Sequence, residues 1–390
     1  MATHDLFAPA WLGPVEVRNR TVKAATYESL GDQGLVTDEL IAWHREIADG
    51  GVGVSTLSYC SVSSDGRTFA DQLVMSDEAM PGLRRFCDSM RAAGSLPAVQ
   101  LGHAGWFADP HATGERPMGP SAQFSPHGRT RSRAMTQADI DRVTQDFAEA
   151  AAMAEEAGFG GVEIHIGHGY LLSQFLCPWN NKRTDEHGGS IENRARFARA
   201  VCRAVHDRVG GRIAIWAKLN MDDGFRGGMP LEDGLAVARL LDADGTLDAI
   251  QLTGGHTTRS PMYLLRGDAP RKEMFEDDPN PVRRTVMRLG APLVIRNLDF
   301  DEAFFRPKAE LFRRAVDVPV MLLGGLTRRD SMADAIDGGF GFVAIGRALL
   351  REPDLVSRYA AGEASTSRCV PCNQCIAKVG YQPTRCVRRP

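Results

Sequence analysis

The sequence predicts an α/β protein built on a (β/α)8 TIM barrel, with long loops after strands three and six and a cysteine-rich C-terminal tail. Three observations carry that expectation. Short apolar, β-branched runs alternate about eight times with longer helical patterns. The runs lack strict period-two alternation, as expected of strands buried on both sides in a parallel sheet. Glycine-rich ends follow the seventh and eighth runs, where such barrels bind phosphate.

The strands are expected at 21–27, 52–58, 96–101, 161–166, 213–219, 248–252, 320–324 and 341–346. Between them, the clearest helix signal begins at Thr136, where Thr136-x-x-Asp139 has capping-box form. Ile140, Val143, Phe147, Ala150, Ala151 and Ala154 then recur at helical spacing, and Gly158 marks the stop. Strand followed by helix, repeated eight times, argues for a barrel over an open sheet. The connections 103–135 and 254–316 are too long for linkers and are expected to wall the active-site face. The expected division is a barrel over 1–362 and a tail over 363–390.

The 390 residues are 43% hydrophobic and 24% charged, with a formal net charge of −3. Such a balance suits a globular core and gives no basic face for nucleic acid or a membrane surface. No run approaches the roughly 18 apolar residues of a membrane span. Residues 1–14 lack a basic start followed by an apolar run, so a cytoplasmic protein acting on a small molecule is expected. Homo-oligomerisation is left open.

Gly324-Gly325 and Gly346-Arg347 end strands seven and eight. Glycine lets backbone N–H groups approach an anion closely, a following helix start attracts it, and Arg347 adds a charge-assisted contact. Two such ends on the right two strands point to a phosphorylated ligand or cofactor.

The segment from Val162 runs Val162-Glu163-Ile164-His165-Ile166-Gly167-His168-Gly169-Tyr170-Leu171-Leu172. It continues through Gln174-Phe175-Leu176-Cys177-Pro178 and Asn181-Lys182-Arg183-Thr184-Asp185 to Gly188-Gly189-Ser190-Ile191-Glu192-Asn193-Arg194. His165 and His168 leave strand four three residues apart, able to aim two donors at one substrate oxygen. Zinc is disfavoured there because no acidic third ligand lies nearby. Tyr170 is protonated at neutral pH and can donate. Arg183, Asp185, Glu192 and Arg194 are expected to pair among themselves and fix the loop.

This long pattern resembles the old yellow enzyme family, and the resemblance extends over nearly the whole chain. It implies an FMN-dependent NAD(P)H oxidoreductase, an ene-reductase, in which FMN passes hydride to the β-carbon of an α,β-unsaturated carbonyl compound or an enoyl or dienoyl thioester. Tyr170 would protonate the α-carbon while His165 and His168 hold the carbonyl. By the same likeness, Ala25, Thr26 and Tyr27 pass along the flavin ring and Tyr59 contacts it. Gln100 would bond its pyrimidine edge, Lys218 would sit beside N1 and O2, and Gly324, Gly325, Gly346 and Arg347 would take the phosphate. Tyr27 stands where some relatives carry a redox-tuning cysteine or threonine. The loop at His256 resembles one that supplies a histidine partner to the tyrosine acid, so His256 is a candidate to bond Tyr170.

The tail carries Cys369, Cys372, Cys375 and, after ten residues, Cys386. Similar tails bind a [4Fe–4S] cluster in 2,4-dienoyl-CoA reductase and trimethylamine dehydrogenase. The final gap is shorter here, so a cluster, a structural zinc or no metal all remain open for these four residues. A rival function is a flavin dehydrogenase that oxidises an amine or a saturated carbonyl compound and discharges electrons through that cluster. Amine-oxidising relatives have tyrosine at the place of His165, which weighs against it.

Overall fold

The computed structural model describes residues 5–125, 127–276, 281–377 and 379–389. Eight parallel strands close into a barrel: β1 (Thr21–Lys23), β2 (Val54–Ser61), β3 (Leu96–Gly102), β4 (Gly161–Ile166), β5 (Ala214–Asn220), β6 (Ala249–Thr253), β7 (Val320–Leu323) and β8 (Phe342–Ile345). Each strand pairs with its sequence neighbours, and β8 pairs with β1 to complete the circle. The (β/α)8 expectation therefore holds.

Eight helices return the chain outside the wall: α1 (Asp38–Asp49), α2 (Met80–Ala92), α3 (Gln137–Ala157), α4 (Ile191–Val209), α5 (Leu231–Asp244), α6 (Arg306–Arg313), α7 (Arg329–Asp337) and α8 (Leu355–Ala360). The capping box at Thr136 forms as expected. The Thr136 hydroxyl accepts from the Asp139 N–H, and the Asp139 carboxylate accepts from the Thr136 N–H. Gly158 ends α3 in the left-handed region at φ +97°.

Two cores follow from the alternation of side chains across the strands. The larger packs helices against the outside of the wall, with Phe147, Phe197 and Phe312 fully buried. A smaller one fills the interior with Val22, Val54, Ala98, Ala214, Trp216, Ala249, Met321 and Phe342. An N-terminal hairpin, Ala10–Leu12 paired with Val15–Val17, floors it through Ala10, Leu12 and Val17. The barrel is thus plugged below and open only at the ends of its strands.

The first strand is shorter than the 21–27 expected, because the chain leaves the ladder after Lys23. The buried Lys23 ammonium turns to Glu28 (2.5 Å) and lies 4.8 Å from the Trp43 ring on α1. The two long connections carry structure of their own. Strand pairs Met118–Gly119 with Arg133–Ala134 and Phe124–Ser125 with Thr130–Arg131 order the first. Helices Pro261–Leu265 and Pro281–Val294 build the second, of which 277–280 lie outside the described residues. Among the described residues no helix is long and apolar enough to cross a membrane.

Candidate active site

Strand register sets a polar layer inside the barrel mouth. Glu163 on β4 lies beside Gln100 on β3, and His165 lies beside Lys218 on β5, which in turn lies beside Gln251 on β6. The fully buried Glu163 carboxylate accepts from Gln100 (2.5 Å), from the Trp216 indole (2.8 Å) and from Lys218 (3.0 Å). Sequence reading passed over Glu163, although a carboxylate within an apolar strand run is itself a signal. Gln251 is fully buried with neither side-chain polar atom partnered among the described residues, and the Thr56 hydroxyl is likewise orphaned. Buried amides are rarely left so.

Above this layer opens a cleft. Its walls include Ala25 and Thr26 from the segment after β1, Lys218, His168, Gly324 and Gly325 after β7, and Gly346 and Arg347 after β8. Gly324 and Gly325 hold φ of +115° and +74°, and a Cβ at either would strike Phe305 or Phe304. A Cβ at Gly346 would meet nothing within 4 Å, so its backbone faces open space. The helix after β8 is only Arg347–Arg351. The pull on an anion therefore rests on glycine amides and the guanidinium rather than on a long helix. The glycine turns, the two wall cations and the polar layer beneath them suit an anionic, partly polar ligand such as FMN.

The imidazoles and phenols gather at the other end. His165 and His168 lie with ring centres 5.1 Å apart, and Tyr170 is 4.8 Å from His165 and 5.2 Å from Tyr59. His168 adopts φ +59° and Gly169 φ +80°, a sharp turn at the end of β4. The His165 Nδ1 accepts from the Gly167 N–H at 3.3 Å. Its proton is thus assigned to Nε2, the nitrogen left to donate. The His168 backbone N–H donates to Asn220, and its Nε2 meets the Thr253 hydroxyl at 2.8 Å.

Burial, with His168 and Lys218 nearby, pushes His165 well below its ordinary value. Burial and the same lysine lower His168 to about 3. Both rings are neutral at physiological pH. Burial raises the Tyr170 phenol to about 12, so it keeps its proton. The Tyr59 hydroxyl donates to the Gly66 carbonyl oxygen (3.1 Å) and meets the Thr68 hydroxyl (2.7 Å), presenting its ring to Tyr170.

Other expectations are redirected. His256 does not bond Tyr170: its Nε2 meets Asn180 at 3.2 Å and its Nδ1 meets Thr258 at 3.1 Å. Trp179 and Phe225 flank its ring, and Gly169 packs so closely that a Cβ would lie 2.6 Å from the imidazole. Tyr27 is not among the residues walling the cleft; its hydroxyl meets Asp71 at 2.5 Å and its ring stacks on Phe69. Gln100 reaches Glu163 across the strand pair. Of the four charges expected to pair after β4, Arg183 pairs with Asp185 in the loop, whereas Glu192 and Arg194 lie in the first turn of α4 and Arg194 crosses to Asp233 on α5 (2.6 Å).

Cys369, Cys372, Cys375 and Cys386 border one small pocket beside the cleft, with Arg347, Arg351, Arg368 and Arg388 around it. Among the described residues no group of three or more ligand side chains is arranged to hold a metal ion. The cluster and zinc expectations thus find the thiols gathered around one pocket but, among the described residues, no coordination set.

A closed barrel with glycine turns, wall cations and paired histidines at its mouth is the layout of a flavin-dependent oxidoreductase of the barrel class. The family model for the NADH:flavin oxidoreductase / NADH oxidase family matches residues 5–247, and the chain belongs to that family. It is an FMN-dependent NAD(P)H oxidoreductase of the old yellow enzyme superfamily.

A 4,4'-dithiodibutanoate disulfide reductase of Rhodococcus erythropolis is 43% identical over 99% of this chain and 96% of its own. An NADH oxidase of Thermoanaerobacter brockii is 29% identical over 98% of this chain, which spans only 55% of it. Among solved structures, a 2-naphthoyl-CoA reductase complex superposes with TM-score 0.79 at 25% identity, over 96% of this chain and 55% of that one. Histamine dehydrogenase from Rhizobium sp. 4-9 gives 0.80 at 25%, over 98% and 51%.

Proposed function

We propose that the chain reduces the C=C bond of an α,β-unsaturated carbonyl compound at the expense of NAD(P)H. The observation that carries this reading is the neutral, buried group of His165, His168 and Tyr170 beside a cleft walled by Lys218, Gly324, Gly346 and Arg347. FMN, when bound, would supply the hydride-transfer chemistry between nicotinamide and acceptor. Gly324, Gly325, Gly346 and Arg347 would hold its phosphate and Lys218 the electron-rich side of its ring, with Ala25 and Thr26 along it.

The protein's own part is orientation and proton delivery. The His165 Nε2–H and a His168 N–H donate to the acceptor's carbonyl oxygen, where negative charge grows as hydride reaches the β-carbon. Because both rings are neutral donors, they stabilise that charge without surrendering a proton. The Tyr170 hydroxyl gives its proton to the α-carbon and is reprotonated from solvent. One hydride and one proton thus saturate the bond. His256 acts by holding the Gly169 turn that aims His168 and Tyr170.

A second acceptor class is favoured by one observation, the 43% identity over nearly full length to a disulfide reductase. Hydride at one sulfur releases the other as thiolate, and one proton completes two thiols. A thiol of pKa about 8.5 needs no strong acid to leave. Re-oxidation of the NAD(P)H-reduced protein by 2-cyclohexenone and by 4,4'-dithiodibutanoate, in separate anaerobic mixes, discriminates the two. Fast turnover with the enone supports the alkene reading. Re-oxidation by the disulfide alone overturns it in favour of the second.

A further inference from the structure

The cysteine tail does more than border the barrel. Its backbone is stitched across the mouth: Ser367 N–H donates to Thr327 after β7, Asp268 N–H donates to Pro371, and Thr384 N–H donates to Glu28 after β1. Cys369, Pro371 and Ile376 stand in the wall of the large cleft, alongside Gly324, Gly346 and Arg347. At the centre of this crossing lies Asn373, 1% exposed and held in the left-handed region at φ +57°. Its amide donates to the carbonyl oxygens of Arg266 (2.8 Å) and Asp268 (2.9 Å), on the connection after β6. Its carbonyl oxygen accepts from Arg347 Nη1, and the same guanidinium nitrogen reaches the Arg266 carbonyl at 3.3 Å.

We infer that Asn373 is a positioning residue for the cofactor: it ties the tail to the barrel and fixes the Arg347 guanidinium toward the FMN phosphate. This rests on the reading that puts the phosphate at Gly324, Gly346 and Arg347. An arginine has many rotamers, and holding one of them before the ligand arrives removes that ordering cost from binding. One nitrogen is taken by the tail, and the remaining N–H groups are left for phosphate oxygens. The tail thereby forms one side of the cofactor site.

The test compares FMN with riboflavin, which has the same ring and no phosphate, binding to the flavin-stripped full-length protein by quenching of flavin fluorescence. Asn373→Gly removes the amide while suiting the left-handed backbone. It should weaken FMN by about ten- to a hundredfold, the worth of a charge-assisted contact, and leave riboflavin affinity unchanged. Asn373→Asp keeps an acceptor for Arg347 but loses the donors to Arg266 and Asp268, so it should recover part of the preference for FMN. In an Arg347→Ala background, Asn373→Gly should cost no further FMN affinity, because the asparagine acts through that arginine. Equal loss of FMN and riboflavin, or an undiminished loss in the Arg347→Ala background, would overturn the inference and leave Asn373 a structural residue. If Arg347→Ala itself leaves the FMN-to-riboflavin ratio unchanged, the phosphate reading fails, and the inference with it.

Discussion

Acidification should destabilise this fold through histidines that burial keeps neutral. His168 is lowered from 6.5 to about 3, by burial and then by Lys218 and His256. His256 is lowered to about 4, by burial and then by Arg259. Each folded-state value lies below the unfolded one, so the unfolded chain takes up protons first as pH falls. The contribution is complete above about pH 6.5 and is lost between there and pH 3–4. At pH 5 the unfolded chain has gained about 1.5 pH units of protonation advantage per histidine, or about 2 kcal/mol each and about 4 kcal/mol together. That is a large share of an ordinary total of roughly 5–15 kcal/mol.

Urea unfolding at pH 7 and pH 5 measures the drop; a carboxylate held low, such as Asp139, gives up its contribution only below about pH 4 and so stays outside this window. His256→Gln should therefore show a smaller drop than the parent, by about 2 kcal/mol. An equal drop in both proteins would refute the reasoning, since it would mean that His256 titrates alike in both states.

Tyr170→Phe should slow alkene re-oxidation by about 10²–10⁴-fold while leaving reduction by NAD(P)H unchanged, read by single-turnover absorbance of the flavin band. Disulfide re-oxidation should be spared in the same variant; comparable loss in both half-reactions would argue against a proton-donor role. Glu163→Gln leaves Lys218 buried beside a neutral amide and should cost about 3–5 kcal/mol in urea unfolding, as for a buried pair with one partner removed. A cost below about 1 kcal/mol would show that the carboxylate is not the lysine's counter-charge.

Much of this was legible in the sequence because the deciding signals are local. The Thr136 box, the Gly158 stop and the bounds of β4 follow from residues within a few positions of one another. So does the His165–His168–Tyr170 group, which one strand end and one tight turn bring together. What required the fold was long-range partnership. Arg194 reads as a member of its own loop, yet its partner is Asp233, on a helix that packs beside it only in the barrel. His256 was assigned to the nearest acid by family likeness, whereas Asn180 and Thr258 compete successfully for its nitrogens. Lys23-Ala24-Ala25 looks extended in sequence, but the buried pair of Lys23 with Glu28 and the open mouth end the strand early. Asn373 sits inside a cysteine motif that draws attention to its thiols, and nothing local connects it with Arg347.

The most direct measurement is anaerobic stopped-flow absorbance of the purified protein, loaded with FMN and mixed first with NAD(P)H and then with an enone. The account predicts bleaching of the flavin band close to one equivalent per chain, followed by rapid recovery on mixing with the enone. Protein that takes up no FMN, or that stays yellow with both nicotinamides, would contradict it.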